Sequence, residues 1–350
     1  MKKFFAFLIM AAVTCSFTLH AQVWDGSIAS DFDGGSGTET DPYQIANGAQ
    51  LAYLANLINT SCNFSNGKYF QLTADIILNE NVLSEADTLN TGNFYEWTPI
   101  GEDNGYHHFS GTFDGNGHSI KGLYINNGNN FRGLFGYIES AVIRNLTIEN
   151  SYLKGGDYTG AFVGYSKLSS VKSLISKAKI ISTASGLGGI IGYNEGNTTI
   201  DSCSNYGAIT SSNGAGGIIG ANGNSSPISN CSNYGTIDAM FRTGGIVGSN
   251  GSSSAISNCI NTATVKSSDD PALGGIAGFN KSSITNCKNT GPIFGSNNDN
   301  NNENAVGGIV GLQGASASIS NCSNQKEVSY INTSSPDQNH YAFVGGIVGN

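Results

Sequence analysis

Residues 244–248 read GGIVG, and near-copies of this phrase recur along the chain. The copies are GGIIG at 188–192 and 216–220, GGIAG at 274–278, and GGIVG again at 307–311 and 345–349. With GLFG and GAFVG before them, the final glycines lie 28, 28, 28, 28, 30, 33 and 38 residues apart, at Gly136, Gly164, Gly192, Gly220, Gly248, Gly278, Gly311 and Gly349. A repeat of this length predicts a solenoid of stacked structural units.

A second phrase recurs once in each of the later units. ISNC ends at Cys231, Cys259 and Cys322, TIDSC ends at Cys203, and ITNC ends at Cys287. In the two preceding units the same slot holds Leu146 and Leu174. The slot therefore favours a small or medium apolar side chain, and cysteine is one way of filling it.

Leucine-rich repeats, helical hairpins and parallel β-helices all have units of comparable length. A pair of glycines in every unit would cost each helix of a hairpin roughly 2 kcal/mol, and the LxxLxLxxN phrase of leucine-rich repeats is missing. Each unit instead has three short β-prone pieces separated by Asn, Gly and Ser, for example in residues 216–239. We therefore predict an all-β fold, a right-handed parallel β-helix with three strands per coil and a short N-terminal capping helix.

In such a stack each residue lies about 4.8 Å above its counterpart in the previous coil, so equivalent positions form columns. We expect the glycines to supply unusual φ values and to let neighbouring backbone pass closely. The Ile and Cys of IxxC are three residues apart, so in one straight strand their side chains would point to opposite faces of the sheet. A corner must therefore lie between them. The expected apolar columns are Leu134, Phe162, Ile190, Ile218, Ile246, Ile276, Ile309 and Ile347; Ile200, Ile228, Ile256, Ile284 and Ile319; and the Leu/Cys slot.

Asparagines recur at two positions of the unit. Those at the expected corner suit a left-handed backbone, and both sets predict amide ladders along the axis. We interpret them as turn architecture in preference to a periodic array that binds a ligand. The corner set is Asn145, Asn230, Asn258, Asn286 and Asn321, and the second set is Asn205, Asn233, Asn261, Asn289 and Asn324.

The mature chain would contain Cys62 and the five slot cysteines. Parallel Cβ vectors about 4.8 Å apart are too widely separated for ordinary disulfides. A column also does not converge as the four ligands of a zinc site must. We predict reduced, buried thiols that act as small apolar side chains.

Composition excludes some partners. The chain has 16 Lys and Arg, 25 Asp and Glu, and a net charge of -9, which argues against a nucleic-acid partner because phosphate binding needs clustered basic residues. Beyond the N-terminus, no stretch approaches the roughly 20 apolar residues of a membrane span.

The N-terminus has the three parts of an export signal: Lys2 and Lys3, the apolar run 4–13, and Leu19-His20-Ala21 as a cleavage site. We predict that residues 1–21 are removed and that the protein is secreted or attached to the bacterial cell surface. Cys15 leaves open a lipoprotein signal.

Residues 22–68 are predicted to form an N-terminal cap with a helix near 48–59. Asn47 is its expected N-cap, with Gln50 three residues on. Residues 69–132 are predicted to form irregular first coils, and residues 133–350 regular repeats. Since the sequence stops midway through a coil, we expect the missing C-terminal cap to come from sequence beyond Asn350 or from another chain.

The run GGSGTETDPYQI, followed by LTADI, WTPIG, FSGTFDGNGHSIKGLYI and GLFG, resembles the opening of bacterial surface proteins with GLUG-motif repeats. The recurring GGIVG with ISNC resembles the GLUG motif itself. The resemblance covers nearly all of the mature chain and implies a pectin-lyase-like parallel β-helix in an exported protein. Similar repeats occur in adhesin-like proteins and in N-terminal regions of immunoglobulin-A-cleaving metallopeptidases.

We expect no catalytic, cofactor-binding or metal-binding residues. HExxH is absent, and charged residues in the regular coils do not recur in register. Asp269-Asp270 reads as a solvated turn. Asp31 and Asp33 resemble the start of a calcium loop but lack its spacing and its final Glu. The remaining candidates are Asp114, Asn116 and His118, which we interpret as a structural turn.

The later repeats are longer than the earlier ones, and the extra residues are all inserted in the same connection of the unit. The lengthened segments are SSDDPAL, GSNNDNNNENAV and NTSSPDQNHYAF. Insertions on one face either mark the binding face of a repeat protein or reflect tolerant surface loops. The predicted function is a non-catalytic, adhesin-like scaffold that binds a host or matrix protein or a glycan. The alternatives are a polysaccharide lyase or glycoside hydrolase, and an accessory arm of a larger secreted enzyme.

Overall fold

The structure, a computed structural model, describes residues 22–102, 106–268, 272–297, 303–332 and 341–349. This part of the chain is a parallel β-solenoid of about nine turns with one short helix near the N-terminus, which confirms the predicted fold class. The expected export signal, residues 1–21, lies outside the described residues.

Two of the three sheets are simple ladders with one strand per coil. Sheet 1 contains Thr159–Gly160, Leu187–Gly188, Ala215–Gly216, Thr243–Gly244, Ala272–Gly274, Glu303–Gly307 and Tyr341–Gly345. Sheet 2 contains Phe135–Glu139, Val163–Lys167, Ile191–Gly196, Ile219–Asn224, Val247–Asn250, Ala277–Asn280 and Val310–Gln313.

Sheet 3 completes each coil and is subdivided by bends. Val142–Lys154 and Ser170–Ser182 run through it as continuous 13-residue strands. In later coils the same path is split into three short strands. The first segments are Thr199–Asp201, Ile228–Ser229, Ile256–Ser257, Ser283–Thr285 and Ser318–Ser320. The second are Ser204–Asn205, Ser232–Asn233, Ile260–Asn261, Lys288–Asn289 and Ser323–Asn324. The third are Ile209–Ser211, Ile237–Ala239, Val265–Ser267, Ile293–Asn297 and Val328–Asn332.

The N-terminal coils extend sheet 3 and meet the helix Gly48–Thr60. Asn47 caps this helix by accepting a hydrogen bond from the Gln50 backbone N–H at 3.0 Å. The Gln50 side chain in turn accepts from Ala46 N at 2.8 Å. Leu51, Leu54, Ala55 and Ile58 are buried in the main core. The first strands of sheet 3 are Tyr43–Ile45, Tyr69–Leu72, Ile76–Ile77, Thr112–Asp114, Ser119–Lys121 and Tyr124–Asn126.

The predicted apolar columns are present. Ile200, Ile228, Ile256, Ile284 and Ile319 pair in register from coil to coil. The Ile190 column continues in the same way, because Ile190 N donates to Ile218 O at 3.0 Å and Ile218 N donates to Ile246 O at 2.9 Å. Leu174 pairs with Leu146, and the slot cysteines through Cys287 are buried.

The predicted corner between Ile and Cys is also present. Every residue at this position is left-handed, with φ between 53° and 57°: Asn145, Ser173, Ser202, Asn230, Asn258, Asn286 and Asn321. The single left-handed residue turns the backbone, so that Ile and Cys both point inward despite their opposite parity.

The expectation that the paired glycines adopt unusual φ values is wrong. None of the pairs from Gly188 to Gly346 lies in the left-handed region. Their role is close approach: a Cβ on Gly217 would overlap the carbonyl oxygen of Gly245 and the side chain of Asn233. Glycine is required there because there is no room for any side chain.

Candidate binding site on sheet 3

The outer surface of sheet 3 has a column of polar and aromatic side chains that follows the solenoid axis. Lys121 pairs with Glu149, and Glu149 pairs with Lys177 in the next coil. The register of the adjoining residues places Tyr206 and then Tyr234 in the same column. We call these five residues the sheet-3 track.

The charged half of the track is an ion-pair network. The carboxylate of Glu149 lies 3.1 Å from Lys121 Nζ and 3.2 Å from Lys177 Nζ. Burial opposes ionisation, but hydrogen bonds from the two lysines outweigh it and lower the pKa of Glu149. This carboxylate is therefore held in its ionised form, which suits an acceptor of hydrogen bonds and is unlike a general acid.

A groove of about 590 Å³ borders the charged half of the track. One wall is the loop that contains Asn79, Glu80 and Glu85, and the other is formed by Lys121 and Lys177. The loop is fixed at its base, because Asn79 Nδ2 donates to Gly122 O at 2.8 Å and to Tyr95 O at 3.0 Å. Asn150 accepts from Leu83 N at 3.2 Å. The groove is therefore preformed.

The aromatic half of the track is a stacked pair. The rings of Tyr206 and Tyr234 have centroids 4.5 Å apart and an interplanar angle of 10°. They remain 50% and 44% exposed. Exposed tyrosines in fixed orientations supply contact area at low entropic cost and are enriched in binding surfaces.

Sheet 2 carries a second aromatic column, whose polar groups are bonded mainly to one another. Tyr137 stacks on Tyr165 with centroids 4.6 Å apart. The Tyr165 hydroxyl donates to Glu195 at 2.6 Å. Burial and this hydrogen bond raise the pKa of Tyr165. Lys167 lies 3.7 Å from Glu195, so the polar groups of this column largely satisfy one another.

The side chains of the turn at 114–118 have partners within the protein. Asp114 accepts hydrogen bonds from Asn116 N at 2.8 Å, from Arg144 Nε at 2.8 Å and from Asn145 Nδ2 at 3.0 Å. His118 faces Asp75 at 3.5 Å. The carboxylate and the imidazole thus have separate partners and do not form a catalytic pair.

The other sequence candidates form no site in the described chain. Asp31 accepts from the neighbouring Phe32 N at 2.8 Å, and Asp33 N donates to Gln44 O at 2.9 Å. Among the described residues, no three His, Cys, Asp or Glu side chains are grouped so that they could hold a metal ion. Asp269-Asp270 lies outside the described residues.

The slot cysteines are free thiols in one column, buried from Cys203 to Cys287 and partly buried at Cys322. Cys259 N donates to Cys287 Sγ at 3.4 Å, and Cys287 N donates to Cys322 Sγ at 3.4 Å. A hydrogen bond with the preceding thiol, together with burial, raises the pKa of Cys231, Cys259 and Cys287. Protonated thiols are poor nucleophiles and poor metal ligands.

The lengthened connections all leave from one corner. They join the third segment of sheet 3 to sheet 1, after Ser267, Asn297 and Asn332, and the residues at this corner stay in register between coils. Most of the inserted residues lie outside the described part. The described strand ends thus confirm that the extra residues of the later repeats are all inserted in the same connection.

Sequence reasoning missed the sheet-3 track and a third asparagine ladder. Asn194 donates to Asn222 at 2.8 Å, and the series continues to Asn250 and Asn280 at 2.9 Å per step. The sequence does contain a signal for this ladder, since each Asn stands two residues after the final glycine of a repeat phrase. The track had no such signal, because its residue types change from coil to coil.

Among the described residues, no helix is long and apolar enough to cross a membrane. Three sheets with in-register apolar, thiol and amide columns define a parallel β-solenoid repeat protein. A model of the family described as the GLUG motif matches residues 302–328. The chain therefore carries a GLUG motif, which its sequence phrases predicted, and its β-solenoid is the kind of fold expected for GLUG repeats.

One solved structure is similar along most of its length. It comes from Bacteroides ovatus and is described as a putative immunoglobulin A1 protease. The two chains are 22% identical, with a TM-score of 0.53, and the match covers 91% of this chain and 88% of the other. At this identity the likeness shows the fold alone. The comparison with curated proteins gave no match.

Proposed function

We propose that this protein is a secreted or cell-surface scaffold, adhesin-like and non-catalytic, that binds a protein or glycan of its surroundings through the outer face of sheet 3. The observation that carries the proposal is the sheet-3 track. It combines a preformed groove with the exposed Tyr206–Tyr234 pair in one line along the solenoid axis.

An extended partner suits this surface. Equivalent side chains repeat at about 4.8 Å along a parallel sheet, so a polymer lying along the axis would meet the groove and both tyrosines together. The stacked rings offer their edges and hydroxyls, while the groove offers amines, carboxylates and amides. Such a mixture favours a hydroxyl-rich or otherwise polar partner, and the acidic chain disfavours nucleic acid.

The test is an array of glycans and matrix proteins probed with the purified chain. We expect saturable binding without turnover. Tyr206→Ala and Tyr234→Ala should each weaken binding about tenfold, as for an interface residue worth about 1.4 kcal/mol. Phe294→Ala is the matched control, since Phe294 is an exposed aromatic in the same sheet. Binding that survives both tyrosine substitutions would remove the track from the proposal.

A polysaccharide-active enzyme is the second candidate. The observation in its favour is that Glu80, Glu85, Asp87 and Glu149 all line the groove. The lowered pKa of Glu149 suits the base or nucleophile of glycoside hydrolysis, so the protonated carboxyl that this reaction also needs would have to be another residue of the groove. Incubation with acidic and neutral polysaccharides, followed by analysis of reducing ends and unsaturated products, separates this candidate from the scaffold.

A third candidate is an accessory arm of a larger secreted enzyme. Its support is the fold-level likeness to the described Bacteroides ovatus protein. Immunoblotting of the native protein from its source cells tests this candidate. A band much larger than 36.4 kDa would favour it.

A further inference from the structure

A second cleft lies at the N-terminal end of the solenoid, away from the sheet-3 track. It has a volume of about 440 Å³ and separates the helix Gly48–Thr60 from the segment 95–102. Clefts of this size with an aromatic lining and a few polar groups are typical small-ligand sites. Its lining includes Trp24, Tyr95, Glu96, Trp97 and Glu102.

The apolar side of the cleft is aromatic. Trp24 lies 5.8 Å from both Tyr95 and Trp97, measured between ring centroids. Trp24 Nε1 donates to Ser27 O at 2.7 Å, and Trp97 Nε1 donates to Leu134 O at 3.1 Å. Because its indole N–H group is satisfied within the protein, Trp24 offers carbon surface to the cleft, and the buried Trp97 packs against it. Tyr95 is 49% exposed and extends this surface.

The walls are held in place without a ligand. Asn59 Nδ2 donates to Pro99 O at 3.0 Å, and Asn59 Oδ1 accepts from Gly101 N at 2.8 Å. These bonds tie the helix to the opposite wall of the cleft. A site that is already ordered loses less entropy on binding.

The polar side of the cleft accepts hydrogen bonds. Glu96 Oε1 accepts from Asn126 N at 2.9 Å, which orients this carboxylate. Glu102 is exposed on the same lining. Ionised carboxylates only accept hydrogen bonds, so a matching ligand must bring donors on one edge and apolar surface on one face.

A pyranose ring has this combination, with C–H groups on its faces and hydroxyl donors around its edge. A quaternary ammonium would need several ring faces around one point, but Trp97 is only 2% exposed. We propose that the cleft binds one pyranose unit of a neutral glycan, with its C–H face against Trp24 and Tyr95 and its hydroxyls donating to Glu96 and Glu102.

This site goes beyond the proposed function and does not depend on the sheet-3 track. The chain has only two tryptophans, and both line the cleft. Tryptophan emission of the full chain therefore reports on this site directly. The probes are the methyl pyranosides of glucose, galactose, mannose and N-acetylglucosamine, each titrated to about 50 mM so that millimolar affinities are detected.

We expect at least one of these sugars to cause a saturable change in emission. Tyr95→Ala and Glu102→Gln should each weaken that sugar at least about fivefold, which corresponds to about 1 kcal/mol. Both side chains are exposed, so an unchanged melting temperature is expected. Tyr206→Ala is the control, because it alters the sheet-3 track and should leave the titration unchanged.

Two results would overturn the inference: no saturable change with any of the four sugars, or a change that both cleft variants retain. Neither result bears on the sheet-3 track, whose test is the array with Tyr206→Ala and Tyr234→Ala. If Tyr206→Ala abolished binding on the array and no sugar changed the tryptophan emission, the proposed function would be upheld and the cleft proposal rejected.

Discussion

The side chain of Asn233 occupies the space that a Cβ on Gly217 would need. The same relationship joins the second glycine of each neighbouring phrase to an asparagine of the same ladder, as in Gly245 with Asn261. Asn233 Nδ2 also donates to Asn261 Oδ1 at 2.9 Å. The repeated glycine and the repeated asparagine are therefore two halves of one packing arrangement.

Gly217→Ala should destabilise the solenoid by about 1–3 kcal/mol, because the methyl group would force backbone and amide apart in a close-packed interior. The measurement is the urea midpoint followed by circular dichroism. Gly346→Ala is the matched control, since Gly346 holds the same place in its phrase but a Cβ there would meet no atom within 4 Å. Equal losses in the two variants would contradict the packing argument.

Asn233→Ala should cost about 2–3 kcal/mol, because it leaves buried acceptors without their donor. Asn233 donates to Gly235 O and to Asn261 Oδ1, both at 2.9 Å. Thermal melting of the variant measures the loss. The control is Asn230→Ser at the exposed corner, where Ser202 already adopts the required backbone with φ of 55°. The argument fails if this control melts as early as Asn233→Ala.

The cysteine column should make the protein less stable at alkaline pH. The pKa of Cys231, Cys259 and Cys287 is raised in the folded chain, whereas unfolded thiols titrate near about 8.5. Above that pH the unfolded chain loses thiol protons that the folded chain keeps, so the free energy of unfolding falls. Below it the contribution of the thiols is complete.

Urea unfolding under reducing conditions at pH 7 and pH 10 measures this fall. Cys259→Ala removes one thiol and should reduce the fall by up to about 1.4 kcal/mol per pH unit above the unfolded pKa. Cys62→Ala, at an exposed thiol, should not change it. A pH dependence shared by wild type and Cys259→Ala would contradict the prediction.

At acid pH the surface of sheet 3 should lose stability. Although burial opposes ionisation, hydrogen bonds lower the pKa of Asp114, Glu149 and Asp201 in the folded chain. Their contribution is therefore complete above the unfolded pKa values, about 3.9 for Asp and 4.3 for Glu, and is lost as pH falls through the lower folded values.

Melting temperatures between pH 7 and pH 2.5 follow this loss. Glu149→Gln should melt earlier at pH 7, because Lys121 and Lys177 lose their shared partner, and its melting temperature should fall less steeply toward pH 2.5. Glu39→Gln, at an exposed carboxyl, serves as the control and should behave as the wild type. A Glu149→Gln curve parallel to the wild type would rule out this source of acid sensitivity.

Much of the solenoid could be predicted because stacking makes each position meet its own copy. The isoleucine columns, the corner asparagines and the Asn205 ladder all recur at equivalent positions of successive coils. The helix cap at Asn47 follows from local chemistry. The φ expectation for the glycine pairs was wrong because sequence shows that glycine is required without showing whether backbone angle or space requires it.

The candidate sites were harder to predict from the sequence. The sheet-3 track joins unlike residues, Glu149, Lys177 and Tyr206, whose common column emerges only once the coils are in register. The cap cleft brings Trp24 next to Tyr95 and Trp97 across a long stretch of irregular chain. Neither arrangement leaves a periodic pattern, so three-dimensional contacts were needed to find them.

The two buried asparagine ladders donate in one direction only. Asn205, Asn233, Asn261 and Asn289 each pass a hydrogen bond to the following coil, and Asn194, Asn222 and Asn250 do the same. The amide dipoles of these two ladders therefore add along the rod, whereas the exposed corner amides of Asn258 and Asn286 donate to the preceding coil. A duplicated unit can lengthen the rod in the original orientation, whereas an inverted unit would set amide nitrogen against amide nitrogen.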